Sequence, residues 1–255
     1  MLVAILNNNL ILNNIAEQEL IKHTKKALKI LGDKKSAIWH KLLDFISEIA
    51  IIVFAISLSI WVHNWSEHKN EQKVVKIFLL GLKADLQADV TETKEILGTY
   101  QQYKKLYSYL SGLDKNKIPN KDSLKTAFFY MASNRFLRPH ESRFNGFLSA
   151  GKIMTIENDS LTQNILNYYQ NVLPTLQTSE QVWLSKNTSL NDYVTDNVKD
   201  FENDMDKFQV LTTPKGKHLT NRLIPWPQLL ERNQAVIVEA NKIISKINKM
   251  YPDSK

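Results

Sequence analysis

The stretch RFLRPHESRF places Arg135, Arg138, His140 and Arg143 within nine residues of a chain that holds only five arginines. Guanidinium groups grip carboxylates and phosphates through paired N–H donors, so such a cluster is suited to recognising an anion or an acidic partner. Pro139 prevents a regular helix through its centre. The arginines are therefore expected on a loop, with Phe136 and Phe144 packing inward to hold it. The plain alternative is a solvated connector whose phenylalanines face a core.

Other patterns fall short of chemistry. Gly146 to Lys152 has the spacing of a phosphate loop, but Ile153 stands where magnesium coordination needs a hydroxyl, and no strand precedes it. His140-Glu141 opens like a zinc-protease motif and lacks the second histidine. The chain contains no Cys, which excludes disulfides and thiolate chemistry. No catalytic residue, cofactor or metal site is expected. An enzyme whose site forms only in space ranks third among the functional readings.

Two further features lie in or beside an apolar run. Glu48, with Asp44 one turn earlier, is a carboxylate at the edge of that run. It is read either as reaching for headgroup level or as a polar contact to a partner helix. Ala55 and Ser59 form a small-xxx-small pair that would let a second helix approach closely.

The run itself decides where these residues live. Between Ile49 and Trp65 no side chain is charged. Phe45 to Trp65 as a helix covers about 31 Å, the thickness of a bilayer's hydrocarbon core. Trp39 lies before the run, and Trp61 and Trp65 lie at its end, as interfacial aromatics do. It begins too far from the N-terminus, and lacks the small-residue site, for a cleaved signal. The expected division is a 1–44 N-terminal segment, a 45–65 transmembrane helix and a 66–255 helical domain. Lys25 to Asp44 carries six lysines against four in Ser66 to Asp85, which points the N-terminus to the cytoplasm. The opening MLVAILNNNLILNN is apolar but too short to span.

Past Trp65, apolar residues recur at three and four positions from Val75 to Leu110, which predicts one long amphipathic helix continuous with the span. Asp122 or Ser123 is expected to cap a short helix to about Asn134, and another short helix should end at Gly151. Asn158-Asp159-Ser160 should start a helix that stops near Pro174. A long one should follow to about Leu211, then an irregular loop TTPKGKHLTNRLIPWP, and a last helix opened by Pro227 and ending near Met250. Seven Gly and seven Pro in 255 residues leave few helix breakers. The fold class is all-α: a transmembrane helix running into an antiparallel helical bundle.

Several of these elements resemble an uncharacterised family of bacterial single-span envelope proteins. The shared features are Glu48-Ile49 at the entry, Asn64-Trp65-Ser66-Glu67 at the exit, and the paired Asp85 and Asp89 in LKADLQADV. A second block runs from Phe136 and Pro139 through Leu148 to Gly151, Ile156, Asp159 and Leu161 to Tyr168-Tyr169. The likeness covers about residues 45–170. It departs at Trp61 and His63, where a Gln and an Asn would be expected. The resemblance implies an inner-membrane anchor carrying an exported, periplasmic helical domain, and supplies no catalytic residues.

The net charge of +7 is spread thinly, so a nucleic-acid partner is not expected. The first functional reading is an interaction or scaffold module of the cell envelope, with the membrane and a protein partner or homo-oligomer as its associates. The second is a sensory or small-ligand-binding module that works through a partner.

Overall fold

The computed structural model describes residues 19, 21–26, 38–131 and 133–252. The opening apolar segment and the side chain of Trp39 lie outside the described residues. Among the described residues there is no strand. Residues 21–26 are helical, and from Ile38 onward eight α-helices follow in order: α1 Ile38–Ser111, α2 Lys121–Met131, α3 Ser142–Ser149, α4 Asp159–Asn167, α5 Leu173–Asn197, α6 Asp204–Leu211, α7 Pro214–Asn221 and α8 Pro227–Met250. A 3-10 turn, Lys152–Thr155, separates α3 from α4, and a π-turn, Tyr168–Val172, joins α4 to α5. The chain divides into two units, Met1–Glu71 and Gln72–Lys255.

In the first unit, α1 contains the one stretch among the described residues that is long and apolar enough to cross a membrane. None of its most apolar window is buried. Phe54 is 68% exposed and Trp61 63%. Lys69 Nζ stands 4.0 Å over the Trp65 ring, a cation–π contact at the end of the apolar run.

The second unit is an antiparallel helical bundle with one core. Its part of α1 keeps the expected stripe: Val75, Phe78, Leu79, Leu82, Leu86, Val90, Thr93, Tyr100, Tyr103, Tyr107 and Leu110 are buried, and Leu97 is partly so. Helix α5 packs on α7 and α8, α4 on α8, and α2 on α6. Trp183 of α5 is the centre of an aromatic cluster. Its ring meets Tyr100, Tyr103, Tyr107 and Trp226 at centroid distances of 5.4, 5.5, 5.8 and 6.2 Å.

Caps explain most of the boundaries. Asn158 accepts from Leu161 N–H at 2.9 Å, and Gly151 takes the left-handed conformation (φ 69°) that follows α3. Pro227 opens α8 and Met250 closes it. Four expectations are corrected. Asn120, not Asp122 or Ser123, caps α2, its Oδ1 accepting from Ser123 N–H at 3.0 Å. The helix starting at Asn158 does not stop near Pro174, because the π-turn widens the backbone just where a proline lacks its N–H and crowds the preceding turn. The long helix ends at Asn197 rather than near Leu211, and α6 starts afresh under the Asn203 cap. The expected loop TTPKGKHLTNRLIPWP contains α7. Thr213 caps it by accepting from Gly216 N–H at 3.0 Å, and Pro214 sits in its first turn.

Candidate functional site

The segment from Ser133 to Glu141 crosses α1 and α5 without regular structure and then enters α3. It is held by polar contacts along its length, which together form a strap. Arg135 Nη2 pairs with Glu95 Oε2 on α1. Leu137 N–H donates to Glu180 Oε1 on α5 at 3.1 Å. At the far end, Arg143 Nε donates to Asp85 Oδ2 at 2.8 Å.

Asp89 is the centre of the strap. Its side chain is fully buried, and it accepts from His140 N–H at 3.2 Å, lies 2.6 Å from His140 Nδ1 and accepts from Tyr168 Oη at 3.3 Å. Those donors suit an acceptor-only carboxylate, so the ring nitrogen facing Asp89 carries a proton. Tyr169 Oη donates to the His140 carbonyl at 3.4 Å, and its ring stacks on Phe144 with centroids 4.1 Å apart. Consecutive helical residues point about 100° apart, yet the π-turn lets Tyr168 and Tyr169 both serve this site.

The four residues singled out in the sequence thus have different surroundings. Arg135, His140 and Arg143 spend their charge on acids of α1 within the chain. Arg138 is exposed and, among the described residues, has no carboxylate at ion-pair distance. Arg143 lies in the first turn of α3, not on the loop, because the helix starts three residues after Pro139. Phe144 is buried as expected, and Phe136 packs partly buried against the core. The guanidinium of Arg143 lies over Gly81, where any Cβ would overlap it, so the glycine makes room for the reach to Asp85.

Electrostatics set the strap's pH response. The hydrogen bond to Asp89 raises the pKa of His140 above its ordinary value. Burial pushes Glu180 up to about 7, only partly offset by the Leu137 N–H, with Glu92 adding to the rise. For a carboxyl group that is raised in the fold, the stabilising contribution is present below the unfolded value of 4.5 and is lost as pH climbs to about 7. The raised His140 acts in the same direction, contributing below 6.5 and losing its contribution above. Glu180→Gln keeps the acceptor for Leu137 without the buried charge. It is expected to gain roughly 3 kcal/mol over the wild type at pH 8 and under about 1 at pH 5 in urea unfolding. An equal gain at both pH values would show that ionisation of Glu180 is not the cause.

Glu48, Ala55 and Ser59 belong to the first unit. Glu48 Oε2 is 2.9 Å from His23 Nδ1, and Glu48 Oε1 is 3.8 Å from Lys26 Nζ. Ala55 and Ser59 are both exposed, and Ser59 Oγ donates to the Ala55 carbonyl at 2.9 Å, so that hydroxyl is satisfied within its own helix. Among the described residues, no three His, Asp or Glu side chains are grouped to hold a metal ion.

Sequence reasoning missed Asp85, Asp89, Glu95 and Glu180 as partners of the strap, although Asp85 and Asp89 were singled out as a shared pair. One signal was present. Asp89 falls on the apolar stripe of α1, three residues after Leu86 and four before Thr93, where an acid must find donors.

A family model matches residues 48–203, more than half of the chain, and spans the apolar helix, the strap and its acids. The chain belongs to DUF6090, a family of unknown function. The matched region takes in Glu48, Asp85, Asp89 and the Tyr168-Tyr169 pair that carried the resemblance noted in the sequence. The membership leaves α6, α7 and α8 outside the match, although α8 packs on α4 and α5 within the same core. No curated protein and no solved structure matches the chain.

Proposed function

We propose that this DUF6090 member is a single-pass membrane-anchored protein whose helical bundle serves as an interaction or scaffold module of the bacterial cell envelope. The observation that carries the reading is the apolar window of α1, no residue of which is buried among the described residues. A soluble protein would bury such a helix, since leaving it in water forfeits about 25 cal/mol for each Å² of apolar surface. The lysine bias before the span supports a cytoplasmic N-terminus and a periplasmic bundle.

The bundle supports a binding role more than a chemical one. Its polar cluster is satisfied internally, as a structural lock would be, and Arg138 is the member of the arginine group left to meet a partner. Ala55 and Ser59 offer a face on which a second transmembrane helix, from a partner or another copy, can close.

The protein is expected to stay in the membrane pellet after an alkaline carbonate wash, and protease added to spheroplasts should digest the region after Trp65. Protection of that region until the inner membrane is broken would reverse the orientation. Release by carbonate would remove the anchor. Purification in detergent should bring down a stoichiometric protein partner. A small metabolite in its place would favour the sensory reading.

A further inference from the structure

The end of the second unit at which the chain enters is assembled from three segments. Gln72 donates from Nε2 to the Thr155 carbonyl at 3.1 Å, which ties the start of the unit to the 3-10 turn Lys152–Thr155. Lys76 places Nζ 5.4 Å over the ring of Tyr251, just past the end of α8. Lys246 in the last turns of α8 donates to Ser160 Oγ at 2.6 Å. Residues 72–76, 152–160 and 246–251 therefore share one end.

That end exposes apolar and basic side chains together. Met154 of the 3-10 turn is 79% exposed. Ile77 on the neighbouring turn of α1 is 69% exposed. Lys73, Lys76, Lys152 and Lys249 are exposed on the same three segments, whose acids are Glu157 and Asp159, with Glu71 just before them. Exposed apolar side chains and lysines at one end of the unit suit a bilayer surface, where apolar side chains enter the headgroup boundary and cations meet anionic phosphates.

Chain length adds a constraint. Gln72 follows Trp65 by seven residues, which cannot separate them by more than about 25 Å whatever the path between. If Trp65 marks the exit from the membrane, this face is tethered close to lipid at high effective concentration. We infer that the face formed by Met154 and Lys73, Lys76, Lys152 and Lys249 docks on the anionic phospholipid surface of the membrane that holds the anchor. The inference rests on the anchored reading above.

The absence of native cysteine allows a single reporter in the full chain. Met154→Cys, labelled with an environment-sensitive fluorophore, would be reconstituted into vesicles of phosphatidylcholine with or without phosphatidylglycerol. Ile56→Cys, labelled identically, reports insertion of the span. The Met154 label should shift to the blue and resist aqueous quencher only in the phosphatidylglycerol vesicles, and high salt should reverse this. Replacing the four lysines by Gln should abolish the shift, each lysine being worth roughly fivefold in surface affinity. A Met154 label that stays wet in both vesicles, while the Ile56 label is buried, overturns the docking face and leaves the anchor intact. If the Ile56 label is also wet, the anchored reading fails and the docking face falls with it.

Discussion

Replacing Asp89 by Ala should cost the helical unit about 3–5 kcal/mol, because a buried carboxylate that gathers several donors is lost. The side chain is fully buried, and its removal strands three donors at once: the His140 backbone N–H, the His140 ring and the Tyr168 hydroxyl. Leaving a buried donor unpaired costs about 1–3 kcal/mol, and a cavity is added to that. Asp89→Asn keeps the shape and one acceptor and should lose about half as much. His140→Gln removes a half-exposed ring and should cost least, because Tyr168 and the backbone still serve the carboxylate. The two outer pairs, Arg135–Glu95 and Arg143–Asp85, are exposed enough that removing either arginine should cost under about 1 kcal/mol. Urea unfolding of the full chain in detergent, followed by helicity, gives the ranking. An Asp89→Ala protein that unfolds with the wild type would leave the strap without an energetic centre.

The second large effect is expected at Trp183. Its ring is 1% exposed and touches four aromatic rings from α1 and the approach to α8. Trp183→Ala opens a cavity the surroundings cannot close, because each neighbour is itself a large ring, and should cost about 4–5 kcal/mol. Trp183→Phe should cost far less than its lost volume suggests. The buried indole N–H of Trp183 has no hydrogen-bond partner among the described residues, so phenylalanine removes an uncompensated donor along with the bulk. The near-ultraviolet circular dichroism of the cluster should collapse in Trp183→Ala at temperatures where far-ultraviolet helicity persists. If the two substitutions unfold together, packing around the indole contributes less than its burial implies.

Periodicity made the long helix visible before any coordinates. The stripe from Val75 to Leu110 repeats at helical spacing for ten turns, and nothing else explains tyrosines at 100, 103 and 107. Local chemistry likewise announced Gly151, Asn158 and Pro227. The elements that escaped depend on what lies across the core. Helix α7 reads as a loop because Pro214 and Gly216 disfavour helix, yet that glycine is required: a Cβ there would collide with the backbone of Val210 and Leu211. The strap escaped for a related reason. RFLRPHESRF displays its cations openly, but their acids lie 40 to 58 residues away on α1, and no local pattern pairs them.

Those separations also order events in time. A helical turn forms within about a microsecond from neighbours in the chain, whereas the strap must close loops of 40 to 58 residues. Helix α1 and helices α4 and α5 are therefore expected to form before the strap binds them together. Under stress the strap is expected to open before the helices, baring the acids of α1 and the paired tyrosines, and amide hydrogen exchange at Leu137 and His140 should report how often it does so.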